Sequence, residues 1–266
     1  MAPTTGPGTA GAIARASIQQ GADLVLAAGG DGTINEVAEG MVHAEVPLAI
    51  LPGGTANVLA AEMNLGRSLE RVVERLGEFE PHRISLGHLT CDAGRVSRHF
   101  LLMAGIGLDA HIVYNVSAAL KARSGKLAYW VAGAKMLGRR LPQLEAEIES
   151  RKLPCSFALV SKVRNYGGDF EIARSVSLLD DEFEVVLFEG SSSLSYIKYV
   201  AGMATNRLAG MKGITILRTD RVVVSSGDSR AYAQVDGEFA GHLPAEVRIV
   251  PRSLTLLVPE DYRTKA

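Results

Sequence analysis

The chain has 266 residues, 47% hydrophobic and 21% charged, with a formal net charge of −1. This is the balance of an ordinary globular protein with a well-filled core, long enough for two domains or one large one. Cys91 and Cys155 lie far apart with no Cys or His at ligand spacing, which excludes a disulfide framework or a zinc site and leaves two buried or half-buried thiols. No apolar stretch approaches the roughly 20 residues that span a bilayer. The first residues lack the basic and apolar regions of a signal peptide, so a cytoplasmic location is expected.

In chain order, residues 9–20 read as a helix that turns Ala10, Ile13, Ala14 and Ser17 inward and stops at Gly21. The apolar run 23–27 reads as a buried parallel strand. It leads through Ala28-Gly29-Gly30-Asp31-Gly32-Thr33 into Ile34, Val37, Ala38 and Met41, spaced for one face of a helix. A turn between strand and helix is where unpaired N–H groups and the helix dipole favour an anion. Glycines there remove the Cβ atoms that would hold a phosphate chain off the backbone. The run 47–51 followed by Pro52-Gly53-Gly54-Thr55-Ala56-Asn57 repeats the arrangement, so two phosphate-binding loops on neighbouring strands are expected. A helix over 68–76, with Ser68 as its N-cap, completes the alternation. It predicts a nucleotide-binding α/β domain with a parallel sheet over residues 1–81.

Beyond Pro81 the period changes. Short runs at 83–89, 97–104, 143–149, 155–163, 183–188, 214–218, 221–225, 230–235, 245–250 and 254–258 read as strands. Helices are expected at 108–121, 125–138 and 193–204. Residues 82–266 are therefore expected to form a strand-rich second domain, a sandwich of antiparallel sheets, across a cleft from the first. Charge is unevenly shared: residues 1–81 hold four Lys and Arg against ten Asp and Glu, and the remainder 24 against 19. Between Ala110 and Leu144 stand Lys121, Arg123, Lys126, Lys135, Arg139 and Arg140 with no acidic residue, around Tyr129 and Trp130. That mixture fits either an anionic membrane surface or a solvated helical pair with a core Trp130.

The first loop offers Gly29, Gly30, Gly32 and Thr33, with Ile34 and Asn35 at the helix start, and the second offers Gly54 and Thr55. Turn glycines and helix caps explain either loop alone; the pair together points to a nucleotide. Asp31 places a carboxylate beside that anion, as a magnesium ligand or a proton acceptor. Glu238 follows Asp236-Gly237, a hairpin-turn signature, where a carboxylate is either solvated or functional. Asp109 opens an expected helix and reads as an N-cap. Asp180, Asp181 and Glu182 form a run of carboxylates that could hold a hard cation. The six histidines show no metal pairing, and His111 reads as a structural residue near the cleft.

These loops resemble those of the diacylglycerol kinase catalytic family, bacterial lipid kinases related to the sphingosine and ceramide kinases. Gly105-Ile106-Gly107-Leu108-Asp109-Ala110 looks like the family's third motif. Asn165-Tyr166-Gly167-Gly168 with Leu179-Asp180-Asp181-Glu182-Phe183-Glu184-Val185 looks like its fourth, and Val235-Asp236-Gly237-Glu238 like its last. The resemblance implies an N-terminal α/β domain with a parallel three-layer sheet, as in NAD kinases and phosphofructokinases, joined to a β-sandwich lipid domain. It implies transfer of the γ-phosphoryl group from ATP, with Mg²⁺, to the hydroxyl of diacylglycerol or a similar lipid alcohol. Glu238 would be the proton acceptor with Asp31 beside it, Asp109 would face the lipid head group, and Thr4 would contact the nucleotide. A structural metal would sit on Asp180 and the carbonyls of Ser177 and Glu182, although Asp181 stands where the family has glycine.

Family members usually begin with a further strand and helix carrying an Asn-Pro turn, roughly forty residues of a domain of this size. Without that strand, exposed sheet edges and apolar helix faces are expected. The alternative reading is a non-catalytic lipid- or nucleotide-binding relative, disabled by its short start. An NAD kinase fits the second loop less well. The expected partner is a lipid at the membrane surface, with peripheral contact through 121–140; no nucleic acid is expected, and a homodimer is left open.

Overall fold

The computed structural model describes residues 1–66, 68–108, 110, 140–166, 170–192, 196–205, 207–228 and 231–264. Helix α1 (Ala10–Gln19) precedes strand β1 (Val25–Gly29), helix α2 (Asp31–Gly40) and strand β2 (Leu48–Pro52). β1 and β2 pair in parallel from Val25↔Leu48 to Gly29↔Pro52. Both glycine loops therefore leave from the same end of one sheet. α1 crosses α2 with Gly11 against Gly40, and a Cβ on Gly11 would stand 2.5 Å from the Glu36 carbonyl. Only glycine permits that approach.

Two short helices follow, α3 (Val58–Glu62) and α4 (Leu69–Arg75), the latter capped by Ser68, whose side chain accepts from the Arg71 amide. The strands are then β3 (Glu80–Cys91), β4 (Val96–Phe100), β5 (Met103–Gly107), β6 (Leu144–Ile148), β7 (Arg151–Cys155), β8 (Phe157–Ser161), β9 (Asn165–Tyr166), β10 (Phe170–Glu171) and β11 (Phe183–Phe188). After helix α5 (Tyr196–Ala204) come β12 (Ile214–Thr219), β13 (Arg221–Ser225), β14 (Tyr232–Val235), β15 (Glu238–His242) and β16 (Ala245–Val258), and the short helix α6 (Glu260–Arg263).

β16 joins the two halves of the architecture. It pairs in parallel with β2 at Leu256↔Leu48 and antiparallel along nearly all of β3, so the parallel pair continues into an order β1-β2-β16-β13-β6-β7, with β3 and β4 alongside. The second sheet, β12-β11-β8-β5-β14-β15, is antiparallel throughout. The two sheets face one another across a core that includes Phe100, Leu144, Val222 and Val247 from one side and Ile106, Val160, Val185 and Val235 from the other. β6 shows the expected alternation, burying Leu144, Ala146 and Ile148 between Glu145 and Glu147. β5, β8 and β11 are buried at every residue because both faces of these central strands are covered. The expected α/β part and β-sandwich are both present.

Several expectations need correction. The strand at 23–27 is parallel but not buried: only Ala27 of β1 is buried, and Leu24 and Leu26 are 41% and 45% exposed. β1 ends the sheet order, so among the described residues no strand of this sheet pairs with its outer side. The run 97–104 is two strands, because the chain turns at Leu101 and Leu102 to change sheets. The runs 245–250 and 254–258 are one strand with an irregularity between Val250 and Leu254, where Arg252 has φ 47°. The expected helices over 108–121 and 125–138 fall almost entirely outside the described residues. No helix among the described residues is long and apolar enough to cross a membrane.

Candidate active site

Gly30 sits in extended conformation, φ −84° and ψ 175°, and hands the chain from β1 into α2. The first N–H groups of α2 thus open at the end of the sheet beside the second loop. The loops are in contact through backbone. The Gly53 amide donates to the Gly29 carbonyl at 2.8 Å, and a Cβ on Gly54 would stand 2.5 Å from the Gly30 Cα. Asn57 shapes the second loop. Its Oδ1 accepts from the Gly54 amide at 2.7 Å, its Nδ2 donates to the Gly54 carbonyl at 2.9 Å, and its own backbone is left-handed. Thr55 is exposed at the rim, Thr33 is half-buried, and Ile34 and Asn35 are buried beneath the turn.

Asp31 does structural work that its sequence position does not reveal. Its Oδ1 accepts from the Leu59 amide at 3.2 Å, so the first loop caps the helix that follows the second. Glu36 of α2 reaches the other way. Its two oxygens accept from the Gly8 and Ala10 amides at 2.7 and 3.1 Å, a carboxylate at the N-terminus of α1. Thr4 is exposed in the segment ahead of α1.

Glu238 arrives from the far end of the chain. Asp236 and Gly237 have φ of 48° and 79°, a two-residue turn joining β14 to β15 with Val235 opposite Glu238. This turn delivers Glu238 to the N-terminus of α2, where Oε1 lies 3.5 Å from the position a Cβ on Gly32 would take. Its Oε2 accepts from Arg98 of β4 at 2.9 Å. Sequence reasoning missed Arg98, which shows no local signal and is brought in by strand pairing alone. It also read Asp236 only as a turn residue. The Asp236 carboxylate accepts from the Leu101, Leu102 and Met103 amides at 3.1, 3.1 and 2.9 Å, holding the chain where it changes sheets. Burial pushes Asp236 up to about 7, with Asp31 adding to the rise and the three amides opposing it.

Asp31, Gly32 and Glu238 are thus gathered at one helix N-terminus beside Gly54. A polyphosphate on these amides would lie beside two carboxylates and the Arg98 guanidinium, groups that phosphoryl transfer can use. Asp109 and His111 fall outside the described residues, as does 121–139 of the proposed membrane contact.

The loop at 177–182 is held by other means. Asp180 Oδ2 accepts from the Arg218 guanidinium at 2.7 Å and from the Ser177 amide at 3.0 Å. The Ser177 carbonyl accepts from the Asp180 amide at 3.1 Å, Glu182 pairs with Arg218 at 3.0 Å, and the Asp180 carbonyl accepts from Lys162. Lys162 is fully buried, and burial brings its ammonium down to about 8 against the pull of Asp180 and Asp181. Asp181 accepts from Ser85, and it is absent from the positive-φ residues, so its side chain brings no backbone strain. Among the described residues no group of three or more His, Cys, Asp or Glu is arranged to hold a metal. A buried network joins this loop to α3, the helix that follows the second glycine loop. The Tyr262 hydroxyl donates to Glu62 of α3 at 2.9 Å, accepts from the Leu178 amide at 3.0 Å and lies 3.2 Å from Ser177 Oγ. Both cysteines are buried, which pushes Cys91 up to about 11 and Cys155 up to about 12.

Comparison with known proteins bears on the family and the fold. The diacylglycerol kinase catalytic domain model matches residues 1–89, and the YegS C-terminal NAD kinase beta sandwich-like domain model matches residues 103–258. The diacylglycerol kinase of Bacillus subtilis (strain 168) is 26% identical over 264 residues, 97% of this chain and 85% of the relative. That of Mycobacterium tuberculosis (strain ATCC 25618 / H37Rv) is 25% identical over 249 residues, 92% of this chain and 79% of the relative. The crystal structure of a diacylglycerol kinase from Bacillus anthracis str. Sterne superposes with a TM-score of 0.75 at 18% identity, covering 97% of this chain and 85% of that one, a likeness of fold. The two family models match in order along one continuous architecture: over residues 103–258, more than half its length, the chain belongs to the family of the YegS C-terminal NAD kinase beta sandwich-like domain, and residues 1–89 ahead of it match the diacylglycerol kinase catalytic domain.

Proposed function

We propose that this chain transfers the γ-phosphoryl group of magnesium ATP to the hydroxyl of diacylglycerol or a similar lipid alcohol. The two glycine loops hold the phosphates through the α2 N-terminus, Thr33 and Thr55. Asp31 faces the metal that accompanies the substrate nucleotide, and Asp109 orients the lipid head group. The lipid oxygen attacks the γ-phosphorus, the bond from that phosphorus to the β–γ bridging oxygen breaks, and ADP leaves. Glu238 takes the hydroxyl proton as the new bond forms. The observation that carries the reading is the delivery of Glu238, through the Asp236-Gly237 turn, to within 3.5 Å of a Cβ position on Gly32. The names of the relatives support diacylglycerol as the substrate class.

One observation favours a second reading, binding without turnover. Asp31 is engaged in capping α3, and Glu238 is paired with Arg98. ADP release with ATP, Mg²⁺ and a panel of micellar lipids separates the two. The kinase reading expects turnover with a lipid alcohol, lost in Asp31→Asn and in Glu238→Gln. A folded chain that binds ATP but releases no ADP with any lipid of the panel refutes it.

A further inference from the structure

We propose that the Lys162 ammonium and the Arg218 guanidinium are the counterions of the 177–182 loop. They stand where the family resemblance would put a structural divalent cation, and this loop keeps its shape without bound metal. A hard cation such as Mg²⁺ needs about six oxygen ligands in near-octahedral array. Part of that donor set is already in use here. Asp180 Oδ2 receives Arg218 and the Ser177 amide, the Ser177 carbonyl receives the Asp180 amide, and the Asp180 carbonyl receives Lys162. Arg218 also bridges to Glu182 and to the Ser175 carbonyl, so one guanidinium ties both ends of the loop. A planar fork of donors suits this cross-linking as a point charge does not.

Lys162 is the decisive residue because it is fully buried. It follows β8, and its amide is bonded to the Leu102 carbonyl at 2.8 Å, which fixes where the side chain begins. A buried ammonium must find oxygen partners, and it finds the Asp180 carbonyl with the Asp181 carboxylate near enough to act on it. A divalent ion entering this loop would meet two fixed positive charges and ligands already in use. The same pairing accounts for Asp181 at a position where the family has glycine. The Asp181 carboxylate balances the buried ammonium, and Ser85 holds it in place.

The test is run on the full chain without nucleotide or lipid, so it stands apart from the kinase reading. Thermal unfolding and amide exchange across 177–182 are followed in EDTA and in millimolar Mg²⁺, Ca²⁺ or Mn²⁺. The expected result is the same midpoint and the same exchange in all four. A midpoint raised by one of these ions, with slower exchange confined to 177–182, overturns the proposal. In Lys162→Met, exchange across the loop is expected to quicken by about tenfold or more, while Lys162→Arg stays near the parent. Exchange as slow in Lys162→Met as in the parent also overturns it. Should Lys162→Met fail to fold, Arg218→Met, at a residue 33% exposed, takes its place in the same comparison.

Discussion

Replacing Arg164 by methionine removes the cation that faces a carboxylate with no solvent exposure. Glu62 Oε1 lies 3.1 Å from Arg164 Nε, and Oε2 accepts from the Arg164 amide at 2.8 Å. The side chain of Glu62 is 0% exposed against 30% for Arg164, so the carboxylate bears the loss. Removing one partner of a buried pair costs about 3–5 kcal/mol. The Arg164 amide and the Tyr262 hydroxyl remain as donors, which places the expected loss near the lower end, about 3 kcal/mol. Tyr262→Phe deletes the hydroxyl that serves Glu62 and the Leu178 amide, leaving a buried N–H without its acceptor, at about 2 kcal/mol. Equilibrium urea unfolding at neutral pH measures both. A loss below about 0.5 kcal/mol in Arg164→Met, the size of an ordinary surface change, would show that Glu62 does not depend on this cation.

Three further outcomes are expected. Gly54→Ala forces a Cβ to 2.5 Å from the Gly30 Cα and 2.9 Å from Asn57 Oδ1, where backbone cannot yield cheaply. At an overpacking cost of about 1–3 kcal/mol, ATP affinity measured by calorimetry should fall by roughly tenfold, and an unchanged affinity would show that the loop absorbs the clash. Asp236, at about 7 when folded, lies above the roughly 3.9 of an unfolded aspartate, so the folded state keeps a proton that the unfolded chain has released. Its stabilising contribution is complete below about pH 4 and disappears as pH rises through 7, so the parent's advantage over Asp236→Asn in urea should shrink across that interval; an advantage that grows with pH refutes the assignment. Cys91 and Cys155, buried and raised to about 11 and 12, should react with a thiol reagent only after unfolding, and fast labelling of the native chain would contradict their burial.

The parts of this protein that were legible in its sequence are those governed by local chemistry. Gly30 before an apolar helical face marked the start of α2, Ser68 marked the cap of α4, and Asp236-Gly237 marked the turn that presents Glu238. The strand over Phe183–Phe188 was legible because its two ends are cut off by polar neighbours. What stayed hidden are contacts between residues distant in sequence, to which periodicity is blind. Asp31 capping Leu59, Arg98 meeting Glu238, and Tyr262 closing on Glu62 each need the folded chain to bring two segments together. β16 was misread as two strands for a local reason. Pro251-Arg252-Ser253 reads as a break, yet the Ser253 hydroxyl donates to the Val250 carbonyl and accepts from the Leu86 amide, carrying the pairing across. Lys162 gave no warning either, since it lies inside the run 155–163, which reads only as a strand.

The most direct test of the account is transfer of label from ATP carrying a radioactive γ-phosphate to diacylglycerol in mixed micelles, with nucleotide binding measured in parallel for the parent and Glu238→Gln. The account predicts a labelled lipid product from the parent and none from Glu238→Gln, with ATP bound by both. Equal labelling by Glu238→Gln would remove Glu238 from the chemistry. A parent chain that binds ATP and labels neither diacylglycerol nor any other lipid alcohol would contradict the kinase itself.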